Sequence, residues 1–106
     1  MLESTFKNLL IEELESKFKG CFIVPGDANY CQGFPDILIL YKTKWAALEC
    51  KRSRHASIQP NQEYYIDRLN KLSFAAFIYP ENKEEILNEL QHALRPRRAT
   101  RLFESK

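Results

Sequence analysis

Pro35-Asp36-Ile37-Leu38-Ile39-Leu40-Tyr41-Lys42, the link Thr43-Lys44 and Trp45-Ala46-Ala47-Leu48-Glu49-Cys50-Lys51-Arg52 form the stretch that decides the fold. Each arm is one strand long and the link is tight, so the pair reads as a β-hairpin. Thr-Lys lacks the Asn-Gly or Asp-Gly chemistry of the best two-residue turns, which leaves the turn type open. Both arms are apolar on both faces, as expected of central strands covered on each side. Side chains alternate along a strand, so Glu49 and Lys51 share one face and Cys50 takes the other. A link centred between Thr43 and Lys44 puts Lys42 opposite Trp45, Leu38 opposite Glu49 and Asp36 opposite Lys51. The three charged side chains then share a face, and a one-residue slip would send Asp36 to the side of Cys50.

Outward from the hairpin, the apolar residues Leu2, Phe6, Leu9, Leu10, Leu14 and Phe18 recur at steps of three and four. That period predicts an amphipathic helix over Leu2–Lys19, ended by Gly20. Cys21–Val24 reads as a short strand stopped by Pro25 and Gly26, with a polar loop running on through Gly33. Beyond the hairpin, Ser53–Asn61 is a polar loop and Gln62–Leu72 a second helix with Tyr65, Leu69 and Leu72 on one face. Phe74–Tyr79 is a buried strand. Asn82 with Glu85 resembles a helix cap with its reciprocal partner before Ile86, Leu87, Leu90 and Leu94. The order is α-β-β-β-α-β-α, one layered α/β domain over residues 1–94 with a mixed sheet of about four strands flanked by helices. Residues 95–106 form a basic tail carrying Arg95, Arg97, Arg98, Arg101 and Lys106 against Glu104.

The chain has 106 residues, 44% hydrophobic and 28% charged, which suits one folded domain and excludes disorder as its main state. Three cysteines, Cys21, Cys31 and Cys50, form an odd set with no CxxC pair. A disulfide framework is not expected, and the reading is of a protein in a reducing cytoplasm. No apolar run approaches the ~20 residues a membrane helix needs, and neither insertion nor export is expected. Cys21, Cys31, His55 and His92 do not have the spacing of a zinc site.

Chemistry concentrates at Asp36, Glu49 and Lys51. Two carboxylates and a lysine at the end of an apolar hairpin are costly unless paired, solvated or bound to a metal. Oxygen-rich sites of this kind suit Mg²⁺ or Mn²⁺, which lean on one or two carboxylates plus substrate phosphate. A metal there would lower the pKa of a bound water and offset phosphate charge, while the lysine polarises the nucleophile or steadies the transition state. This is equipment for hydrolysing a phosphodiester.

The pattern of Pro35-Asp36 followed by Glu49-Cys50-Lys51, after one helix and before a helix and a strand, resembles the PD-(D/E)XK nuclease superfamily. The resemblance runs from Glu3 to about Leu94. It is most similar to the compact VRR-NUC modules and to Holliday junction resolvases, through Gly33-Phe34-Pro35-Asp36 and the later Gln62. It implies a restriction-endonuclease-like core and a divalent-metal-dependent DNA endonuclease, selective for branched or junction DNA and acting as a homodimer. Asp36 and Glu49 would hold Mg²⁺ or Mn²⁺, the Cys50 main-chain carbonyl would complete the metal site, and Lys51 would serve the nucleophile. Gln62 would stand near the attacking water or the scissile phosphate. The resemblance also asks for a glutamate from the first helix. Glu3 falls within the apolar stripe and is chosen, with Glu13 on its margin as the alternative.

Lys51, Arg52, Arg54 and His55 form a basic run where a nucleic-acid backbone would lie. Tyr64 and Tyr65 read as packing residues rather than base-stacking ones, and Trp45 as the anchor of the hairpin to a helix. Two alternatives stay open: a catalytically inactive nucleic-acid-binding module of the same fold, and a nuclease acting on RNA. The formal net charge of +2 divides unevenly, with residues 1–50 at −2 and residues 51–106 at +4, so the positive excess begins at Lys51.

Overall fold

The computed structural model describes residues 1–26 and 30–96. Its elements are α1 (Glu3–Lys17), β1 (Phe22–Pro25), β2 (Ile37–Tyr41), β3 (Lys44–Cys50), α2 (Pro60–Leu72), β4 (Phe74–Ile78) and α3 (Lys83–Ala93), in the predicted order. The strands make one mixed sheet in the order β1-β2-β3-β4. β1, β2 and β3 are successively antiparallel, and β4 joins β3 in parallel after the α2 crossover. Arg97–Lys106, most of the predicted basic tail, lie outside the described residues, whereas Arg95 and Pro96 are exposed.

The hairpin forms with a different turn. Its two link residues are Lys42 and Thr43, so that Tyr41 pairs with Lys44, Leu38 with Ala47 and Ile37 with Leu48. Lys42 takes up the reversal in the left-handed region at φ 56°. The expected pairings of Lys42 with Trp45 and Leu38 with Glu49 are therefore replaced by a register moved by two residues. An even shift preserves the faces, so the sidedness of Asp36, Glu49 and Lys51 survives the correction.

One sheet face carries the core. Phe6, Leu10, Leu14 and Phe18 of the first helical segment meet Ile37, Ile39, Ala46, Leu48 and Ile78 from the sheet and Ile86, Leu87, Leu90 and Leu94 from α3 and its end. Phe18 also stands edge-on to Tyr41, ring centroids 5.3 Å apart. Burying a side chain of this size contributes on the order of 1.5–3 kcal/mol, so α1 and α3 are held by packing rather than by their caps. Indeed, the expected Asn82 cap is not formed: Asn82 Oδ1 accepts the Tyr79 N–H at 2.8 Å and Nδ2 donates to the Phe77 carbonyl at 3.1 Å, fastening β4 to the turn instead.

The opposite face is only partly covered. α2 lies against β3 and β4, and the residues Ala46–Cys50 of β3 are buried throughout. β2 is not covered on both sides as its sequence suggests, since Leu38 is half-buried and Leu40 is 37% exposed. α2 itself buries no residue fully, and Leu72, expected on its inward face, is exposed. It starts two residues before the predicted Gln62, because Pro60 suits a first helical turn and Gln59 and Gln62 form a reciprocal capping box.

Two glycines permit close approaches beside the hairpin. A Cβ on Gly26 would overlap the Pro35 carbonyl oxygen, and one on Gly33 would run into the Asn61 side chain, with φ +94° adding strain. The Gly26 N–H donates to the Asp36 carbonyl at 2.8 Å. Asn61 Nδ2 donates to the Gln32 carbonyl at 3.0 Å, so the loop entering Asp36 is pinned to the first turn of α2.

Candidate active site

Beyond the last ladder pair, Ile37 with Leu48, the strands bring Asp36 level with Glu49 at the hairpin end remote from its turn. The Asp36 N–H donates to Glu49 Oε1 at 3.2 Å, and the Cys50 N–H donates to Asp36 Oδ2 at 3.0 Å. Each carboxylate is thus oriented by the backbone of the other's strand. The expected pairing of Asp36 with Lys51 gives way to Asp36 with Glu49, a consequence of the two-residue register change. Glu49 is only 4% exposed and Lys51 only 7%.

Gln62 joins the group from α2. Its Nε2 donates to Glu49 Oε2 at 3.1 Å and its Oε1 accepts the Lys51 ammonium at 2.8 Å. Lys51 Nζ also donates to the Ser57 carbonyl at 3.0 Å, and the Gln59 N–H donates to the same Gln62 Oε1 at 3.0 Å. The capping box that begins α2 therefore also fixes the amide between Glu49 and Lys51.

Glu49 forms no ion pair among the described residues. Burial first, and then the neighbouring Asp36 charge, push its carboxyl up to about 8 against the opposing pull of Lys51. A deeply buried carboxylate without an ion pair, beside a second carboxylate whose cation is the Lys7 ammonium at 4.0 Å, is an oxygen donor set that fits a hard divalent cation. Asp36, Glu49 and the Cys50 main chain are the residues that would hold it. They bring two carboxylates together, and no group of three or more His, Cys, Asp or Glu residues suited to a metal occurs among the described residues.

The Cys50 side chain is fully buried in the core. Burial, then Asp36 and Glu49, push its thiol up to about 12, which leaves it a core residue and no nucleophile. Glu3, in the first turn of α1, opens with Leu2 onto the same cleft as Lys51, Arg52, Ser57, Gln59 and Gln62. Glu13 is instead paired with Lys83 of α3 at 2.9 Å. Between the two acids left open by the sequence, the geometry puts Glu3 at the cleft.

Arg52 lines the cleft, whereas Arg54 and His55 are exposed on the following turn, with the Arg54 N–H donating to Glu81. Lys7 was not among the residues singled out from sequence. Its ammonium lies 4.0 Å from Asp36 Oδ1. The available signal was its place four residues after Glu3, on the same side of the helix.

The fold is a mixed four-stranded α/β sheet with α1 and α3 on one face and α2 on the other, and it is shared with a protein of known structure. A solved structure described as a VRR_NUC domain protein superposes with a TM-score of 0.64 over 100% of this chain and 93% of that one, at 16% sequence identity. The sequence matches no family model and no curated protein. Among the described residues no helix is long and apolar enough to cross a membrane.

Proposed function

We propose that this protein is a Mg²⁺- or Mn²⁺-dependent endonuclease that hydrolyses phosphodiester bonds of DNA, selective for branched or junction structure. The observation that carries the reading is the arrangement of Asp36, Glu49, Lys51 and Gln62: a half-buried and a buried carboxylate side by side, the buried one without an ion pair among the described residues and bridged by one amide to a buried lysine. A bound divalent cation would supply Lewis-acid polarisation of the phosphate and activation of water. Asp36 and Glu49, with the Cys50 main chain, would hold it. Lys51 has three N–H donors, of which Ser57 and Gln62 take two, leaving one for the nucleophile or a phosphate oxygen. Gln62 holds the Lys51 ammonium apart from the Glu49 carboxyl. Glu3 adds negative charge at the cleft mouth, and Arg52, with Arg54 and His55 beyond it, meets the nucleic-acid backbone.

One such centre cuts one strand, so paired incision calls for a homodimer, and the thiols are taken as reduced in a cytoplasmic setting. Supercoiled plasmid, linear duplex, four-way-junction DNA and a matched RNA, incubated with Mg²⁺ and with EDTA, test the reading. Mg²⁺-dependent cutting of junction DNA, lost in Asp36→Ala and Lys51→Ala, is the expected result. No cutting of any substrate, or undiminished cutting by those variants, overturns it, and cutting of RNA alone replaces the substrate.

A further inference from the structure

Beside the candidate site, α2 and the loop entering Asp36 present an aromatic surface that the catalytic reading does not use. Phe34 and Tyr65 stand edge-on at 5.5 Å, and Tyr65 and Tyr64 edge-on at 5.4 Å. Tyr64 is 55% exposed, so it does not have the packing role expected from sequence. The Arg68 guanidinium lies 5.6 Å from the Tyr64 ring centroid and its Nη1 donates to the Tyr64 hydroxyl at 3.3 Å. At about 100° per residue around the helix, Tyr65, Arg68 and Tyr64 follow Gln62 within roughly 160° of turn. The strip leads away from the site around α2: Gln62 grips Lys51 and Glu49, its neighbour Asn61 pins the loop bearing Phe34, Tyr65 stands about 60° around from Gln62 and Tyr64 about 160° around.

One exposed ring, Tyr64, braced by the half-buried Tyr65 and with an arginine against it, matches the physical requirements of a stacking platform. Every nucleobase offers a π-face, and the guanidinium supplies charge for the adjoining phosphate. An intact duplex keeps its bases stacked on each other and cannot use it. We infer that Tyr64, supported by Tyr65 and Arg68, stacks an unpaired nucleobase of a strand that leaves the cleft around α2, so that the substrates favoured by this site contain single-stranded nucleotides. The inference rests on the nuclease reading and names the feature by which that site selects structure.

Binding without cleavage tests it. Fluorescence anisotropy in EDTA, with a labelled single strand of DNA, the same strand as RNA, and a blunt duplex, is measured for wild type, Tyr64→Ala, Tyr64→Phe and Arg68→Ala. Tyr64→Ala is expected to weaken binding of the DNA or the RNA strand roughly ten-fold, the order of one stacked base, while Tyr64→Phe keeps wild-type affinity and duplex binding is unchanged. Arg68→Ala is expected to weaken strand binding and flatten its salt dependence. Equal strand affinities in wild type and Tyr64→Ala, or an equal loss on duplex, overturn the platform. Neither result bears on Mg²⁺-dependent cutting, so the two readings fail separately.

Discussion

Gln62 and Lys51 are joined side chain to side chain at 2.8 Å, across the gap between the first turn of α2 and the end of β3. The same amide reaches Glu49 with its other atom at 3.1 Å. An amide is suited to this position because it accepts from the cation and donates to the anion at once, holding the two apart.

Gln62→Leu removes the bonds to Lys51 and Glu49 together with the capping bond from the Gln59 N–H, and leaves the two buried side chains each short of a partner. The expected cost is about 1–3 kcal/mol of stability, read as a lower urea midpoint, with a larger relative loss of nicking activity than of stability. Gln62→Glu introduces a third carboxylate and is expected to weaken the bond to Glu49 while keeping that to Lys51, which the pH dependence of unfolding separates.

Glu49 gives the metal-free protein a distinctive pH dependence. Its carboxyl is raised from 4.5 to about 8 in the folded state, chiefly by burial and then by Asp36, so the folded state holds a proton that the unfolded chain has released. Stability from this group is complete below about pH 4.5 and is lost as pH rises to about 8. Urea midpoints measured in EDTA should fall across that interval, and Glu49→Gln should remove the fall. Mg²⁺ added at pH 8 should restore stability to wild type and not to Glu49→Gln.

Thiol titration distinguishes the cysteines. Cys31 is exposed, whereas Cys50 is buried with its thiol pushed up to about 12. A thiol reagent at pH 8 should therefore label Cys31 in the native protein and reach Cys50 only on unfolding, as peptide mass mapping would read out.

Backbone geometry supplies the remaining test. Lys42 carries φ 56° at the hairpin turn, where a side chain costs on the order of 1 kcal/mol relative to glycine. Lys42→Gly should raise thermal stability by about 0.5–1 kcal/mol, while Gly26→Ala should lower it by more, because its Cβ overlaps the Pro35 carbonyl next to Asp36.

The helices and strands were legible because each carries its own period: Phe6, Leu10 and Leu14 are buried one below another on α1, as their spacing predicts. Local chemistry is overridden where a competing partner lies within reach. Asn82 looked like a cap, yet Tyr79 and Phe77 lie close enough to take its amide. Leu72 looked inward, yet nothing covers it at the end of α2. Tyr64 looked like a packing residue, although no period in the sequence says which helix face remains open.

The sequence by itself determined the hairpin and the common face of Glu49 and Lys51, since strand alternation has a period of two, while the even register that adds Asp36 to that face is a property of the folded turn. Only the tertiary structure decided that Asp36 sits level with Glu49, that Gln62 bridges Glu49 to Lys51, and that Glu3 reaches the cleft while Glu13 is engaged by Lys83. Those outcomes depend on contacts between residues far apart in the chain. Their distances are set by how α1, α2 and α3 pack on the sheet, and no local pattern encodes them.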